Sequence, residues 1–268
     1  MKKKLLALTL ALGLMTVAFT GCTAEDTEAP VDEGNIDTET EVSQEQSEYV
    51  DGMYLEKLPV GDHGNYPMAT MEVKDGNISE FNYSEYFTDT GETKTEENYD
   101  YAEGIAVTKD LNEQYNEKKD IEQVDFDAVS GATSTKESFR QAVEALVAKA
   151  EKGETYTPVY KDGTYEAKAE EASHGWLSEV AVTVTEGQIV GVDYKEVAVE
   201  ASEGVEVGDV KSAENYEYEP PFEVVKQMQK LIIDNNGTED LDVDGITGAT
   251  NTRTTVLELV NQALSTAK

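Results

Sequence analysis

Asp127-Ala128-Val129-Ser130-Gly131-Ala132-Thr133 returns later in the chain as Asp244-Gly245-Ile246-Thr247-Gly248-Ala249-Thr250, and each copy leads into a segment with helical periodicity. Behind the first copy, Phe139, Ala142, Val143, Leu146, Val147 and Ala150 recur at three and four residues; behind the second, Val256, Leu259, Val260, Ala263, Leu264 and Ala267 do the same. That spacing gives each helix one apolar face. Ser134 with Glu137 has the pattern of a capping box, and Asn251 is a favourable N-cap. Both helices are therefore predicted to begin just after the Gly-Ala-Thr.

Outward from these segments the repetition continues. Asp51-Gly52 with Tyr54 recurs as Asp162-Gly163 with Tyr165, His63-Gly64 as His174-Gly175, and Asp75-Gly76 with Ile78 as Glu186-Gly187 with Ile189, each 111 residues on. By the Gly-Ala-Thr the offset has grown to 117, which a six-residue loop insertion in the second copy explains. Each copy reads as a hairpin, with Met68 to Val73 turning at Asp75-Gly76 into Ile78 to Tyr83, and Val180 to Val184 turning at Glu186-Gly187 into Ile189 to Tyr194. A helix is expected after Pro220-Pro221, where Val224, Val225, Met228, Leu231 and Ile232 share a face. Its counterpart near Asp110 to Lys118 is more polar. Hairpins dominate, so the fold class is α+β: two tandem repeats of one small domain, each an antiparallel sheet with helices and a last helix after the Ser/Thr-Gly-Ala-Thr turn.

At the N-terminus, Lys2, Lys3 and Lys4 precede an apolar run from Leu5 to Phe19, then Thr20, Gly21 and Cys22. This reads as a signal peptide over 1–21 with a lipoprotein-type cleavage site, although Phe19 stands where leucine is usual. Cys22, the chain's one cysteine, would carry the lipid. Removing three lysines leaves 18 basic and 56 acidic side chains, a net charge of −38. Such a balance opposes nucleic-acid binding, which depends on cations neutralising phosphates. No cysteine remains for disulfides or thiolate sites. Residues 22–48 are acidic, polar and free of aromatics; they read as a disordered tether averaging about 30 Å end to end. The expected organisation is then domain 1 over 49–151, a joint over 152–159 and domain 2 over 160–268.

The chemistry is expected at the Gly-Ala-Thr turns. A glycine-containing turn entering a helix presents free N–H groups and the positive end of the helix dipole, which suits a phosphate. Arg140 and Arg253, the only arginines, fall in the first turns of these helices, and Lys136 matches Arg253 in position.

The pattern of Asp, two residues, Ser or Thr, Gly-Ala-Thr, with Thr135 or Thr252 two places on, resembles the signature of the FMN-binding domain family, which includes the flavin-bearing subunits of sodium-pumping quinone reductases. The resemblance covers both repeats. It implies two covalent FMN groups, joined through phosphate to Thr133 and Thr250 by a separate flavin transferase that uses FAD. Asp127, Ser130, Gly131 and Ala132, and Asp244, Thr247, Gly248 and Ala249, complete the two sites, with Thr135 and Thr252 as fallback acceptors. A lipoprotein with two such domains is similar in architecture to extracellular electron-transfer flavoproteins of Gram-positive bacteria. That similarity implies a carrier on the outer face of the cell membrane, anchored in lipid through Cys22, which takes electrons from a membrane quinol and passes them to extracellular acceptors. The alternative is a non-redox surface lipoprotein, adhesive or ligand-binding, with degenerate flavin sites.

His63, His174 and Trp176 lie in loops after the first strand of each copy, where they could touch a flavin ring or simply serve turns and core. Two histidines make no persuasive zinc site, and no acid, base and nucleophile occur together. Asp240, Asp242, Asp244 and Gly245 open like a calcium loop, but Asn251 stands where the bidentate glutamate belongs, so no metal is expected.

Overall fold

A computed structural model describes residues 49–243 and 245–268. The signal segment, the tether, Cys22 and Asp244 lie outside the described residues.

The first half runs β1 (Gly52–Lys57), β2 (Asn65–Lys74), β3 (Asn77–Phe87), α1 (Ala102–Lys118) and α2 (Thr133–Lys152). The second repeats it as β4 (Gly163–Lys168), β5 (Trp176–Thr185), β6 (Gln188–Ala198), α3 (Pro220–Asn235) and α4 (Thr250–Leu264). Each half has an antiparallel three-stranded sheet with the middle strand of the sequence in the centre. The expected α+β architecture is the observed one.

The repeated dipeptides have matching work. Asp75 and Gly76, like Glu186 and Gly187, have positive φ, as a two-residue hairpin turn requires. The Asp51 carboxylate accepts from the Gly76 N–H at 2.7 Å, and Asp162 does the same for Gly187 at 2.7 Å. Each Asp-Gly thus ties the start of an edge strand to the neighbouring hairpin. Both hairpins also shift register at the same place, between Glu72 and Val73 and between Thr183 and Val184.

The helices cover one face of each sheet. In the first half Tyr54, Met71, Phe81, Tyr83, Tyr115, Phe139 and Leu146 form the buried centre, and Phe139 meets Phe81, Tyr83 and Tyr115 with ring centroids 5.2–6.3 Å apart. Fully burying a side chain of this size contributes about 1.5–3 kcal/mol. The polar helix α1 has a second task. Asn112 Oδ1 accepts from Tyr83 N at 2.8 Å while its Nδ2 donates to Tyr83 O at 2.8 Å, and Asn116 makes the same pair with Phe81 at 3.0 and 2.7 Å. Two asparagines one turn apart thereby satisfy the open edge of β3.

The matching edge of β6 is met largely by the first half. Val192 N donates to Thr88 O at 2.8 Å, the Tyr66 hydroxyl donates to Val190 O at 3.0 Å, and Gln229 of α3 donates to Val192 O at 2.7 Å. Leu55, Val60, Tyr66, Met68 and Tyr86 share one buried cluster with the second-half core. Gly91 and Gly191 meet so closely that a Cβ on Gly191 would sit 2.2 Å from Gly91 N. Lys57 donates to Ile233 O, and Val60 N donates to Asp234 Oδ1 at 2.9 Å. The segment after α2 is fixed too, with Tyr156 N donating to Met53 O at 2.8 Å and Pro158 packed over Gly187. The described residues belong to one compact unit. Among them, no helix is long and apolar enough to cross a membrane.

Candidate flavin site

Both motif helices begin at the threonine itself. Thr133 and Thr250 are the first residues of α2 and α4, with Ala132 and Ala249 in the capping positions and no side chain capping either helix. The expected caps at Ser134 and Asn251 are therefore corrected: both lie inside the helix. The glycines explain the shift. Gly131 has φ +87° and Gly248 φ +113°, and Ala132 follows in the left-handed region at φ +44°, so the chain turns before it reaches the threonine.

An uncapped start leaves donors free. The first bond back to the turn is Lys136 N to Ala132 O at 3.1 Å in α2 and Arg253 N to Ala249 O at 3.1 Å in α4. The N–H groups of Thr133, Ser134 and Thr135, and of Thr250, Asn251 and Thr252, stand ahead of those bonds. They point from the positive end of a helix dipole, as an anion requires.

The two threonines of each motif differ. Thr133 is exposed, whereas Thr135 is buried and its hydroxyl donates to Glu85 Oε1 at 2.9 Å. In the second half Thr250 is exposed, with only a long 3.5 Å contact to Gly248 O, and Thr252 is half-buried. A hydroxyl that must meet another molecule needs the first setting, not the second.

The cations do something other than wait for phosphate. Lys136 Nζ donates to Val129 O at 2.6 Å, and Arg253 donates to Val243 O at 2.8 Å and Ile246 O at 3.1 Å. Val129 and Ile246 occupy equivalent places, so both cations brace the motif loop against its own helix. Arg140 lies over the Phe126 ring at 4.2 Å. Ala132 N donates to the Tyr101 hydroxyl at 3.0 Å, which holds the first loop to the start of α1. Gly131, Ser130 and Asp127 are exposed around this turn, as are Thr247, Gly248 and Gly245 around the second.

A second constellation went unread in the sequence. Glu85 pairs with Lys94 at 2.6 Å, and Lys94 lies 4.1 Å from the Tyr99 ring centroid. Glu196 pairs with Lys211 at 2.7 Å, and Lys211 lies 4.3 Å from Tyr216 and 4.9 Å from Trp176. Both lysine side chains are less than a tenth exposed. A buried pair of this kind is kept only by good geometry, because desolvation opposes it. The signal was present: Lys94, Asn98 and Tyr99 recur as Lys211, Asn215 and Tyr216 at the offset of 117.

Each constellation walls a cleft between the third strand and the first helix of its half. Glu85, Lys94, Tyr99, Gly104, Ile105 and Thr108 line the first; Glu196, Lys211, Pro221, Phe222 and Val225 line the second. Trp176 is buried beside the second cleft, on Ala198 and Val205. His63 is exposed at a different hollow between the halves, beside Thr88, Lys226 and Lys230, and His174 sits on an exposed turn at φ +53°. Of the residues expected as possible ring contacts, Trp176 thus lies beside a cleft, while His63 and His174 lie outside both clefts. Among the described residues no group of three or more His, Cys, Asp or Glu side chains is placed to hold a metal.

Two α+β halves, each ending in a helix opened by Gly-Ala-Thr, define a tandem cofactor-binding protein. The sequence profile of the FMN-binding domain matches residues 67–148 and 175–265, well over half of the chain, and the chain belongs to that family. It is thus a flavoprotein with two FMN-binding domains. A search of solved structures finds the crystal structure of the CPE2226 protein from Clostridium perfringens, 26% identical, covering 40% of this chain and 93% of that one with a TM-score of 0.35. No curated protein matches the chain.

The residues present fit FMN. Its phosphate finds uncapped helix starts with free N–H groups and an exposed hydroxyl at each, and a hollow of about 350 Å³ lined by Phe126, Thr133, Lys136 and Arg140 adjoins the first start.

Proposed function

We propose that this chain is a lipid-anchored electron carrier on the outer face of the cell membrane, with FMN esterified through its phosphate to Thr133 and Thr250. One observation carries the reading: in both halves of a chain of this family, the first residue of an uncapped helix is an exposed threonine. Attachment is the work of a separate transferase. The threonine oxygen forms a bond to the FMN phosphorus of FAD, the phosphoanhydride breaks, AMP leaves, and the hydroxyl proton goes to base or solvent.

The chain's own groups then hold and orient. The N–H groups of the first turn bind the phosphate oxygens, Lys136 and Arg253 fix the loop that carries the threonine, and the Glu85–Lys94 and Glu196–Lys211 pairs keep the adjoining walls in place. Bound FMN supplies electron transfer in steps of one or two, so it can join a two-electron donor such as a membrane quinol to one-electron acceptors outside the cell. An ester suits that location because a reversibly bound flavin would be lost by dilution. Cys22 supplies the lipid anchor and residues 23–48 the reach.

The test is to produce the chain with a transferase, unfold it in detergent and look for flavin fluorescence on the gel. A fluorescent band supports covalent attachment, and a dark one removes it.

A further inference from the structure

Thr133 opens a stripe along α2 that the core does not use. Thr133, Lys136, Glu137, Arg140 and Gln141 follow one another at three and four residues, and with Phe126 they line the hollow of about 350 Å³, within the range of small-molecule pockets. The acceptor hydroxyl thus belongs to a residue in the wall of the hollow. Arg140 lies seven residues on from Thr133, about 10 Å along the helix axis and nearly in line with it. A phosphate and ribityl chain tied to the threonine can cover that span.

The far end of the hollow joins an aromatic ring to an unspent charge. Phe126 is half-buried and stands edge-on to Phe139 of the core, with centroids 6.4 Å apart, so it is fixed from behind. The Arg140 guanidinium lies over the Phe126 ring at 4.2 Å. Among the described residues no carboxylate or carbonyl oxygen is bonded to it, although Glu137 and Glu144 stand a turn to either side. In a chain with 56 acidic and 21 basic side chains, a half-buried cation left without a carboxylate is out of keeping with its surroundings. Lys136 and Arg253 spend their donors on loop carbonyls; Arg140 does not. A guanidinium laid on one ring can stack on a second, because it is planar and weakly hydrated. The second half has neither part: at the offset of 117, Val243 stands for Phe126 and Leu257 for Arg140, and both pack on the second core.

Resting on the reading above, we infer that the flavin ring carried by Thr133 lies in this hollow, stacked on Arg140, and that Arg140 raises its potential. The phosphate sits at the helix start and the ring about two turns on. Reduction brings two electrons from the quinol donor and one proton from solvent onto the ring, and leaves it with one negative charge. The guanidinium, held in place by Phe126, favours that charged form, where the carboxylates around it oppose it.

Two full-length parent chains test this, Thr250→Ala and Thr133→Ala, each flavinylated at its remaining threonine. In redox titrations, adding Arg140→Gln should lower the potential of the flavin on Thr133 by a roughly tenfold shift in its reduction equilibrium, about 30 mV for a two-electron couple. The flavin on Thr250 should keep its potential. Phe126→Trp reads the ring's place independently, since an indole in contact with an excited flavin quenches it by donating an electron. Fluorescence of the flavin on Thr133 should fall severalfold, and that of the flavin on Thr250 should stay as it was. With flavin attached, an unmoved potential, or an equal shift in both parents, overturns the role of Arg140, and unquenched fluorescence overturns the ring's place; either result leaves the ester intact. Absence of flavin from both parent chains overturns the ester as well.

Discussion

The Thr135 hydroxyl is bonded to the Glu85 carboxylate at 2.9 Å, and this contact separates the two threonines of the first motif by role. Glu85 also holds Lys94 at 2.6 Å, so Thr135 is part of a buried charged network while Thr133 faces solvent. A bond to a charged group contributes about 1.5–3 kcal/mol. Thr135→Val should therefore lower unfolding free energy by about that amount and leave the flavin on Thr133. Urea unfolding and in-gel fluorescence check the two parts separately, and loss of flavin with unchanged stability would reverse the assignment.

Asn112 commits its amide to the open but covered edge of β3, donating to Tyr83 O and accepting from Tyr83 N. Asn112→Ala leaves both backbone groups without that partner, and a buried unpaired group costs about 1–3 kcal/mol. Urea denaturation should show a loss of at least that size. Asn112→Asp keeps the acceptor alone and should recover only part of it.

Between the halves, Gly191 has no room for a side chain. Its Cβ would meet Gly91 N at 2.2 Å and Gly91 Cα at 2.5 Å, both backbone atoms. Gly191→Ala should cost about 1–3 kcal/mol by overpacking and loosen the joint between the halves. Differential scanning calorimetry is the measurement, with a lowered and broadened transition expected in place of one sharp peak.

Alkaline pH should expose the buried tyrosines. Burial raises the pKa of Tyr66, Tyr83 and Tyr115, and pushes Tyr194 up to about 12. In the unfolded chain these groups ionise near 10, so between pH 10 and 12 the folded state binds more protons and stability falls. Lys57 acts in the opposite sense at lower pH: burial, partly offset by Asp234, pulls it down to about 8 from 10.5. Its contribution is present above 10.5 and lost as pH falls through 8. Stability should rise from pH 8 toward 10 and then decline, and Lys57→Met should flatten the rise without moving the decline.

Much of this fold was legible because its signals are local. The hairpin turns at Asp75-Gly76 and Glu186-Gly187, the apolar faces of α2 and α4 and the duplication itself all sit within short windows of sequence. Helix α1 was harder to read: Asn112 and Asn116 give two of its positions to the edge of β3, which thins the apolar stripe. The start of α2 was misplaced because Ser134 has the right residue type for a cap, while the turn is set earlier by Gly131 and Ala132 with positive φ. Lys136 and Arg253 looked like phosphate ligands from their place in the chain, yet their hydrogen bonds go to loop carbonyls, a matter of side-chain direction that spacing alone does not give. The Glu85–Lys94 pair joins a strand to a loop beyond it, and only a comparison of the two repeats in that region reveals it.

The account depends most on the ester at the two helix starts. Chain produced with a flavin transferase should be digested and the peptides containing Thr133 and Thr250 examined by mass spectrometry. The account predicts one FMN phosphoester on each, with Thr133→Ala and Thr250→Ala each losing only its own. Two unmodified peptides from material made with an active transferase, or modification that stays when its threonine is replaced, would contradict it.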